Sequence, residues 1–299
     1  MRRNDAKPHR RRRVAAVATL LALVGSLILA PEAFANFILP KSGGSPNADQ
    51  ISDLYKIILY VAAVVFVVVE GALLYSVYRF RSKRSAAAAQ IHGNTRLEIG
   101  WTIAAGLILV VLTVVTFAKL PSIINPPNTS ANGFLTASLT APKPPNGKKL
   151  TVCVQGRQYI WRYTYGANCT NSAFSGKLPY TYQEMTVPAN TTVVLVIQST
   201  DVIHSWWVPS LGGKVDAVPG YTTYTWFKAP KASTPGHEVL FHGQCAQLCG
   251  RNHAAMTALV HVVSPAAYQQ FLTSQSQAIN EANIQVTQLR QELTASGNL

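Results

Sequence analysis

Cys245-Ala246-Gln247-Leu248-Cys249-Gly250-Arg251-Asn252-His253-Ala254-Ala255-Met256 places four soft or borderline metal ligands within twelve residues, in the order Cys, Cys, His, Met. Zinc is the first candidate for such a run, because cysteine and histidine are its usual ligands. The methionine argues against zinc, since a thioether is a poor ligand for that ion and a good one for copper. Cys249, His253 and Met256 alone match the loop of a mononuclear blue-copper site, which uses one thiolate, two imidazoles and a weak axial sulfur. The other imidazole of such a site comes from an earlier strand. His204, in Ser199-Thr200-Asp201-Val202-Ile203-His204, follows a strand-like run.

Cys245 decides between one copper and two. A second thiolate in the same loop allows both sulfurs to bridge two ions in a compact diamond. Each copper then takes one histidine, and the weak axial positions fall to Met256 and a backbone carbonyl. Sharing an electron between two ions in a rigid loop keeps the geometry nearly constant on reduction, which suits electron transfer. No coordination position stays open, which excludes substrate chemistry at the site. The competing reading is a Cys245–Cys249 disulfide in an oxidising compartment; it leaves the His and Met spacing as coincidence. Nothing in the spacing of His237, His242 and His261 singles them out. Cys153 and Cys169 are the remaining pair, and the sequence leaves open whether they are bonded.

Outward from the loop, residues 150–264 alternate short β-branched and aromatic runs with turn residues. The runs fall at 151–154, 159–165, 192–198, 221–227 and 259–263. Strands at roughly ten-residue spacing, without helical periodicity, predict a β-sandwich or barrel. The segment 121–149, rich in Pro, Asn, Ser, Thr and Gly, reads as a linker. Residues 265–299 lose the strand pattern, and 278–293 read as a short helix or loose extension. No internal repeat is present.

The N-terminal part has a different texture. Residues 57–78 and 99–118 are apolar runs, the first interrupted by one acid, Glu70, to which no role is assigned. Each can cross a hydrocarbon core of about 30 Å as a helix. The basic stretch Arg79-Phe80-Arg81-Ser82-Lys83-Arg84 between them is of the kind retained in the cytoplasm, so everything after the second run lies outside. Residues 1–35 have the layout of a secretory signal: a basic start, an apolar run over 14–30, and the small-residue site Ala33-Phe34-Ala35. The formal net charge is +14, and seven of the 26 Lys and Arg residues fall in the first thirteen positions. That charge sits beside apolar runs and not on a basic face of a folded domain, which argues against nucleic acid as a partner.

An export signal, a two-helix hairpin and a β-domain ending in this ligand loop together resemble subunit II of the haem–copper cytochrome c oxidases, with its CuA centre. The resemblance spans about 50–264. It implies a transmembrane hairpin followed by an all-β cupredoxin-like domain in a bacterial cell membrane, with the copper domain on the extracytoplasmic side. It implies His204, Cys245, Cys249, His253 and Met256 as copper ligands, with the main-chain carbonyl of Gln247. It further implies electrons taken from a c-type cytochrome and passed to haem in subunit I, where oxygen is reduced and protons are pumped. Glu98 falls where the family has a carboxylate at the mouth of a proton-uptake channel; the physical alternative is a helix-start carboxylate favoured by the dipole. The segment 205–220, with Lys214, Asp216 and Pro219-Gly220, is similar to the family's segment beside the copper site.

Three departures qualify the transfer. Gln247 stands where members often have Glu, and a neutral amide oxygen is a weaker ligand for a hard cation, which weakens the case for the family's magnesium ion at the subunit I interface. The aromatic patch that receives electrons begins with Trp in the family, whereas Gly156-Arg157-Gln158-Tyr159-Ile160-Trp161 offers Tyr159 or Trp161. From Pro121 onward the chain carries 11 Lys and Arg against 6 Asp and Glu. The family often docks a basic cytochrome on an acidic surface, so a donor that is acidic, membrane-tethered or complex-bound suits this chain better. The rival readings are a copper-free quinol oxidase subunit, disfavoured by the full ligand set, and a membrane-anchored copper carrier or assembly protein, which needs neither a two-helix anchor nor Glu98.

Overall fold

The computed structural model describes residues 39–81, 90, 93–126, 149–166, 169, 176–231 and 238–297. The signal read at 1–35, His237 and most of the linker lie outside the described residues. Residues from Ser42 onward form one compact unit.

Helix α1 spans Pro46–Arg79 and α2 spans Thr95–Ile124. Both are longer than the apolar runs at 57–78 and 99–118 that signal them. At 1.5 Å per residue, α1 is about 50 Å long and outruns a hydrocarbon core of about 30 Å. The surplus is used at the end where both helices are tied to the β-domain. Ser45 Oγ accepts from Lys228 N (3.0 Å), Asn47 Nδ2 donates to Trp226 O (2.8 Å), and Trp226 Nε1 donates to Ile123 O (3.2 Å). The last contact holds the final turn of α2 in place, so Pro121 lies inside the helix instead of opening the linker. Gly44 is required at this junction, because a Cβ there would sit 2.3 Å from Ser210 O. Along the apolar stretches the side chains face outward, as in a hairpin solvated by lipid.

Among the described residues the β-domain has ten strands in two five-stranded sheets. They are β1 (Leu150–Arg157), β2 (Ile160–Tyr165), β3 (Tyr180–Tyr182), β4 (Glu184–Pro188), β5 (Thr192–Ser199), β6 (His204–Trp207), β7 (Val215–Ala217), β8 (Thr223–Lys228), β9 (Val239–Cys245) and β10 (Thr257–Val263). One sheet runs β3-β2-β1-β5-β8 and the other β4-β10-β9-β6-β7. Alternation builds the core between them. Val152 and Val154 on β1, Trp161, Tyr163 and Tyr165 on β2, and Ala258, Val260 and Val262 on β10 all point inward and are buried. This is the cupredoxin-like sandwich expected.

On the outer face of the first sheet, Cys153 is bonded to Cys169, sixteen residues on, and packs with Val196 and Tyr224. At the C-terminus a single helix α3 covers Pro265–Ala295, 31 residues, where a short helix or loose tail is expected from sequence. Ser264 caps it through Ala267 N, and Tyr268, Phe271 and Leu272 pack against the core, which starts the helix thirteen residues before its polar stretch.

Candidate metal centre

The candidate ligand residues meet because β6 and β9 are neighbours. Trp206 pairs with Cys245 in the ladder, which sets His204, at the start of β6, beside Cys245, at the end of β9. Residues 246–256 form the connection from β9 to β10. Its ends are clamped by Cys245 N donating to Met256 O (2.8 Å), and its start by Ala246 N donating to Ser205 O (2.8 Å). A one-turn 3₁₀ segment, His253–Ala255, swings His253 and Met256 back toward the cysteines.

The result is a compact cluster of donor atoms. The Sγ atoms of Cys245 and Cys249 lie 3.9 Å apart, about twice the length of a disulfide bond, so both are free thiols. His204 Nδ1 faces Cys245 Sγ at 3.9 Å, and His253 Nδ1 faces Cys249 Sγ at 3.5 Å. Met256 Sδ is 4.0 Å from Cys249 Sγ, and Gln247 O is 3.3 Å from Cys245 Sγ. His204, Cys245, Cys249 and Met256 are buried. The donor atoms of His204, Cys245 and Cys249 lie within 4.8 Å of one another.

A second layer holds the first. His204 Nε2 lies 2.9 Å from Asp201 Oδ1, the carboxylate–histidine arrangement that turns the other ring nitrogen toward a metal. Asp201 is anchored in turn by Gln158 N and Val202 N, each at 2.7 Å. Gln158 Nε2 donates to Cys249 O (2.7 Å), and Tyr159 Oη accepts from Arg251 N (3.0 Å). Gly250 adopts φ +131°, and a Cβ there would meet Tyr159 Oη at 2.5 Å; only glycine fits the turn under that ring. Gly156 leaves room for His204 in the same way. Asp201, Gln158, Gly156 and Gly250 are absent from the sequence-based site. Asp201 had a signal, standing three residues before the histidine, but the others act through contacts between segments distant in sequence.

The two thiols differ in how readily they ionise. Burial works against the Cys245 thiolate, yet hydrogen bonds to His204 and to backbone groups outweigh it and bring this thiol down to about 6. Burial and the adjacent Cys245 charge push Cys249 up to about 11. Two thiolates this close do not ionise together without a positive charge between them. Burial lowers the His204 pKa, but hydrogen bonds to Cys245 and Asp201 more than reverse this. Two thiolates, two imidazoles, a thioether and a carbonyl are a donor set suited to copper, and the residues fit that ion.

Of the remaining sequence-predicted residues, Trp161 is fully buried with its edge against His204, at a centroid distance of 5.9 Å. Tyr159, by contrast, is half-buried beside the ligand loop. Glu98 is at the first turn of α2. Its Oε1 accepts from Asn94 N while Asn94 Oδ1 accepts from Leu97 N, both at 3.2 Å, a reciprocal cap. His242 is exposed, and His261 pairs with Glu184 and Glu238 on the outer face of the sandwich.

Comparison with known proteins agrees with this picture. Residues 150–263 match the family described as cytochrome C oxidase subunit II, periplasmic domain, and residues 34–118 match cytochrome C oxidase subunit II, transmembrane domain. Cytochrome c oxidase subunit 2 of Cereibacter sphaeroides is 34% identical over 269 residues, covering 78% of this chain and 80% of that protein. A probable cytochrome c oxidase subunit 2 of Rickettsia felis is 29% identical over 282 residues, covering 88% and 81%. The crystal structure of the periplasmic domain of subunit II of cytochrome oxidase from Bradyrhizobium japonicum is 27% identical, with a TM-score of 0.37, covering 44% of this chain and 96% of that one. With its two transmembrane helices and its buried cluster of cysteine and histidine side chains that could hold a metal, the chain belongs to the cytochrome c oxidase subunit II family and is a membrane-bound subunit of a haem–copper oxidase.

Proposed function

We propose that this chain holds a binuclear copper centre on the extracytoplasmic side of a bacterial cell membrane, takes electrons from a c-type cytochrome, and passes them to haem in subunit I. The observation that carries this reading is the paired thiols 3.9 Å apart, flanked by an imidazole on each side. Cys245 and Cys249 would bridge two ions, His204 and His253 would each hold one, and Met256 and the Gln247 carbonyl would complete the set. When bound, the copper pair supplies reversible one-electron storage. The protein contributes rigidity: Asp201 fixes the His204 ring, and Gln158 and Tyr159 fix the loop backbone, so the donors move little between redox states.

Tyr159 at the rim is the proposed receiving side chain, with Trp161 as a buried neighbour of His204. Glu98, at the cytoplasmic end of α2, is proposed for proton uptake in addition to its cap. Gln247 keeps its backbone role but offers only a neutral side chain toward a magnesium ion. The extracytoplasmic placement rests on the basic loop after α1. A copper count and electron paramagnetic resonance on the full chain in detergent test the centre. Two coppers sharing one unpaired electron are expected; one copper, or zinc, overturns the reading.

A further inference from the structure

The two helices fix the height at which the β-domain stands over the membrane. The apolar run of α2 ends at Ala118, and the domain grips α2 five residues later, where Trp226 Nε1 donates to Ile123 O. The apolar run of α1 begins at Ile57, and the domain grips α1 ten residues earlier, where Asn47 Nδ2 donates to Trp226 O. At 1.5 Å per residue these two anchors lie roughly 8 Å and 15 Å beyond the hydrocarbon. Headgroups occupy roughly 5–8 Å on each side of that core. One end of the sandwich therefore hangs just over the lipid phosphates.

Strand register shows which residues stand at that end. Thr192 pairs with Lys228 and Leu150 with Val193, so the starts of β5 and β1 and the end of β8 share one level. Lys228 N is bonded to Ser45 Oγ at the head of α1. Asn190 N donates to Pro230 O (3.0 Å), which brings Lys231 to the turn before β5. Tyr165 N, at the end of β2, donates to Pro179 O (2.9 Å), and the chain before Pro179 runs past the strand ends to Lys177. Lys149 immediately precedes β1, and Lys119 immediately follows the apolar run of α2. The candidate metal ligands occupy the opposite end, where β9 stops and β10 starts.

Five lysines thus gather at the membrane end. Lys149, Lys177 and Lys231 are exposed, and Lys119 and Lys228 half-buried. None makes an ion pair among the described residues; Lys119 Nζ donates to the neutral Gln50 Oε1 (3.1 Å). The carboxylates at that end are already engaged. Asp53 pairs with Lys56, Asp49 Oδ1 accepts from Gly43 N, and Glu238 is held by His261. Ammonium groups on flexible stems, within about one Debye length (about 10 Å at about 0.1 M salt) of a phosphate layer, form a surface that anionic lipid neutralises.

We propose that this lysine belt binds the headgroups of anionic phospholipids in the leaflet beneath the β-domain. It acts whether or not the metal site is loaded, so it stands apart from the copper reading. Attraction of this kind changes lipid association by about fivefold per lysine near the surface. The basic stretch 79–84 lies at the other end of the hairpin and gathers anionic lipid in the opposite leaflet, so the test has to isolate the lysines.

The test uses the full chain in nanodiscs of phosphatidylcholine, with or without phosphatidylglycerol. Acylation of each lysine by a water-soluble amine reagent is followed by mass spectrometry. At about 0.01 M salt, Lys149, Lys177 and Lys231 should react roughly fivefold more slowly in the anionic discs; at about 1 M salt, where the Debye length falls to about 3 Å, the difference should vanish. R79Q/R81Q, at the opposite membrane surface, should leave that protection unchanged. Spin-labelled lipids report association directly: K149Q/K177Q/K228Q/K231Q should lower the selectivity for phosphatidylglycerol over phosphatidylcholine several-fold. The labelling of the wild type is independent of how well that variant folds. Equal reactivity in neutral and anionic discs overturns the proposal, as does unchanged selectivity in the folded quadruple variant. Inorganic phosphate in neutral discs should protect none of the lysines, and equal protection by it would reduce the belt to general anion binding and overturn the lipid assignment. The same labelling on the assembled oxidase closes the test. Lysines protected there to the same degree in both kinds of disc are covered by a partner subunit, which also overturns it.

Discussion

The metal end of the β-domain and the middle of the helical hairpin are opposite ways of specifying structure. At the metal end, polar atoms are committed to partners far away in sequence. Gln158 reaches Cys249 across 91 residues, and Cys245 meets His204 across 41. Along the apolar stretches of α1 and α2, side chains such as Val67, Leu74, Leu109 and Val114 face outward. The first region is defined by the chain's own contacts, the second by its solvent. A single atom changed at the site should therefore be felt, whereas an apolar exchange in mid-hairpin that preserves length and hydropathy should not.

The largest break of this contrast is Cys245→Ser. It removes one of the two sulfurs proposed to bridge the ions while leaving the loop clamp through Cys245 N untouched. Copper content should drop to one ion or none, the shared-electron spectrum should vanish, and oxidase turnover should be abolished. Metal analysis and turnover on the assembled oxidase check this. An unaltered spectrum would show that the second thiol is no ligand.

A second break separates stability from function within the β-domain. Cys153–Cys169 lies on the outer face of the first sheet, with its own small cluster of Val196 and Tyr224. A cross-link over a loop of this size contributes about 3 kcal/mol in the chain-entropy view. C153S/C169S should lower the thermal unfolding temperature measurably while leaving the copper spectrum of the folded protein unchanged. Coupled loss of both would mean that the two faces of the sheet are not independent.

Asp201→Asn probes the second layer alone. The amide still reaches His204 but carries no charge, so copper affinity should fall about 10- to 100-fold with the spectrum little altered. The carboxyl of Asp201 is pushed up by burial, but hydrogen bonds from Gln158 N, His204 and Val202 N outweigh this and hold it below its usual range. A depressed value means its contribution is present above the unfolded carboxylate pKa of about 4 and is lost as pH falls through the folded value. Acid unfolding of the copper-free protein should show this component, and D201N should lack it. Chelator titrations and an acid unfolding series provide the two readings.

How much of this was legible beforehand follows the same division. The membrane runs and the strands at 151–154, 192–198 and 259–263 were visible because burial in lipid or in a sandwich core imposes local apolar patterns. The clustering of the cysteines, histidines and methionine was visible because metal binding would restrict residue type and spacing. Strands β3, β4, β6, β7 and β9 were not. They are short, or, like Leu240-Phe241-His242-Gly243-Gln244, polar on one side and broken by a glycine needed for close approach to Trp207 O. α3 was underread because its first turns are held by Tyr268 and Phe271 packing on a core that only the folded domain creates. Asp201 and Gln158 were hidden for the same reason: their partners are assembled by the fold.

The smallest effect falls on the hairpin, at Glu98, where a local role and a functional one overlap. As a cap, its Oε1 accepts from Asn94 N at the start of α2, exposed to water. Glutamine can make that bond, so E98Q should leave thermal stability unchanged, whereas E98A should cost about 0.5–1 kcal/mol. Proton uptake needs a titrating group, which glutamine lacks. Under the proposed role, E98Q should slow turnover of the assembled oxidase with the copper spectrum intact, and the slowing should grow as pH rises and protons become scarce. If E98Q turns over like the wild type at every pH while E98A loses only stability, Glu98 is a cap and nothing more. In that case the hairpin acts only as an anchor and uses no side chain chemically, and the contrast with the metal end becomes complete.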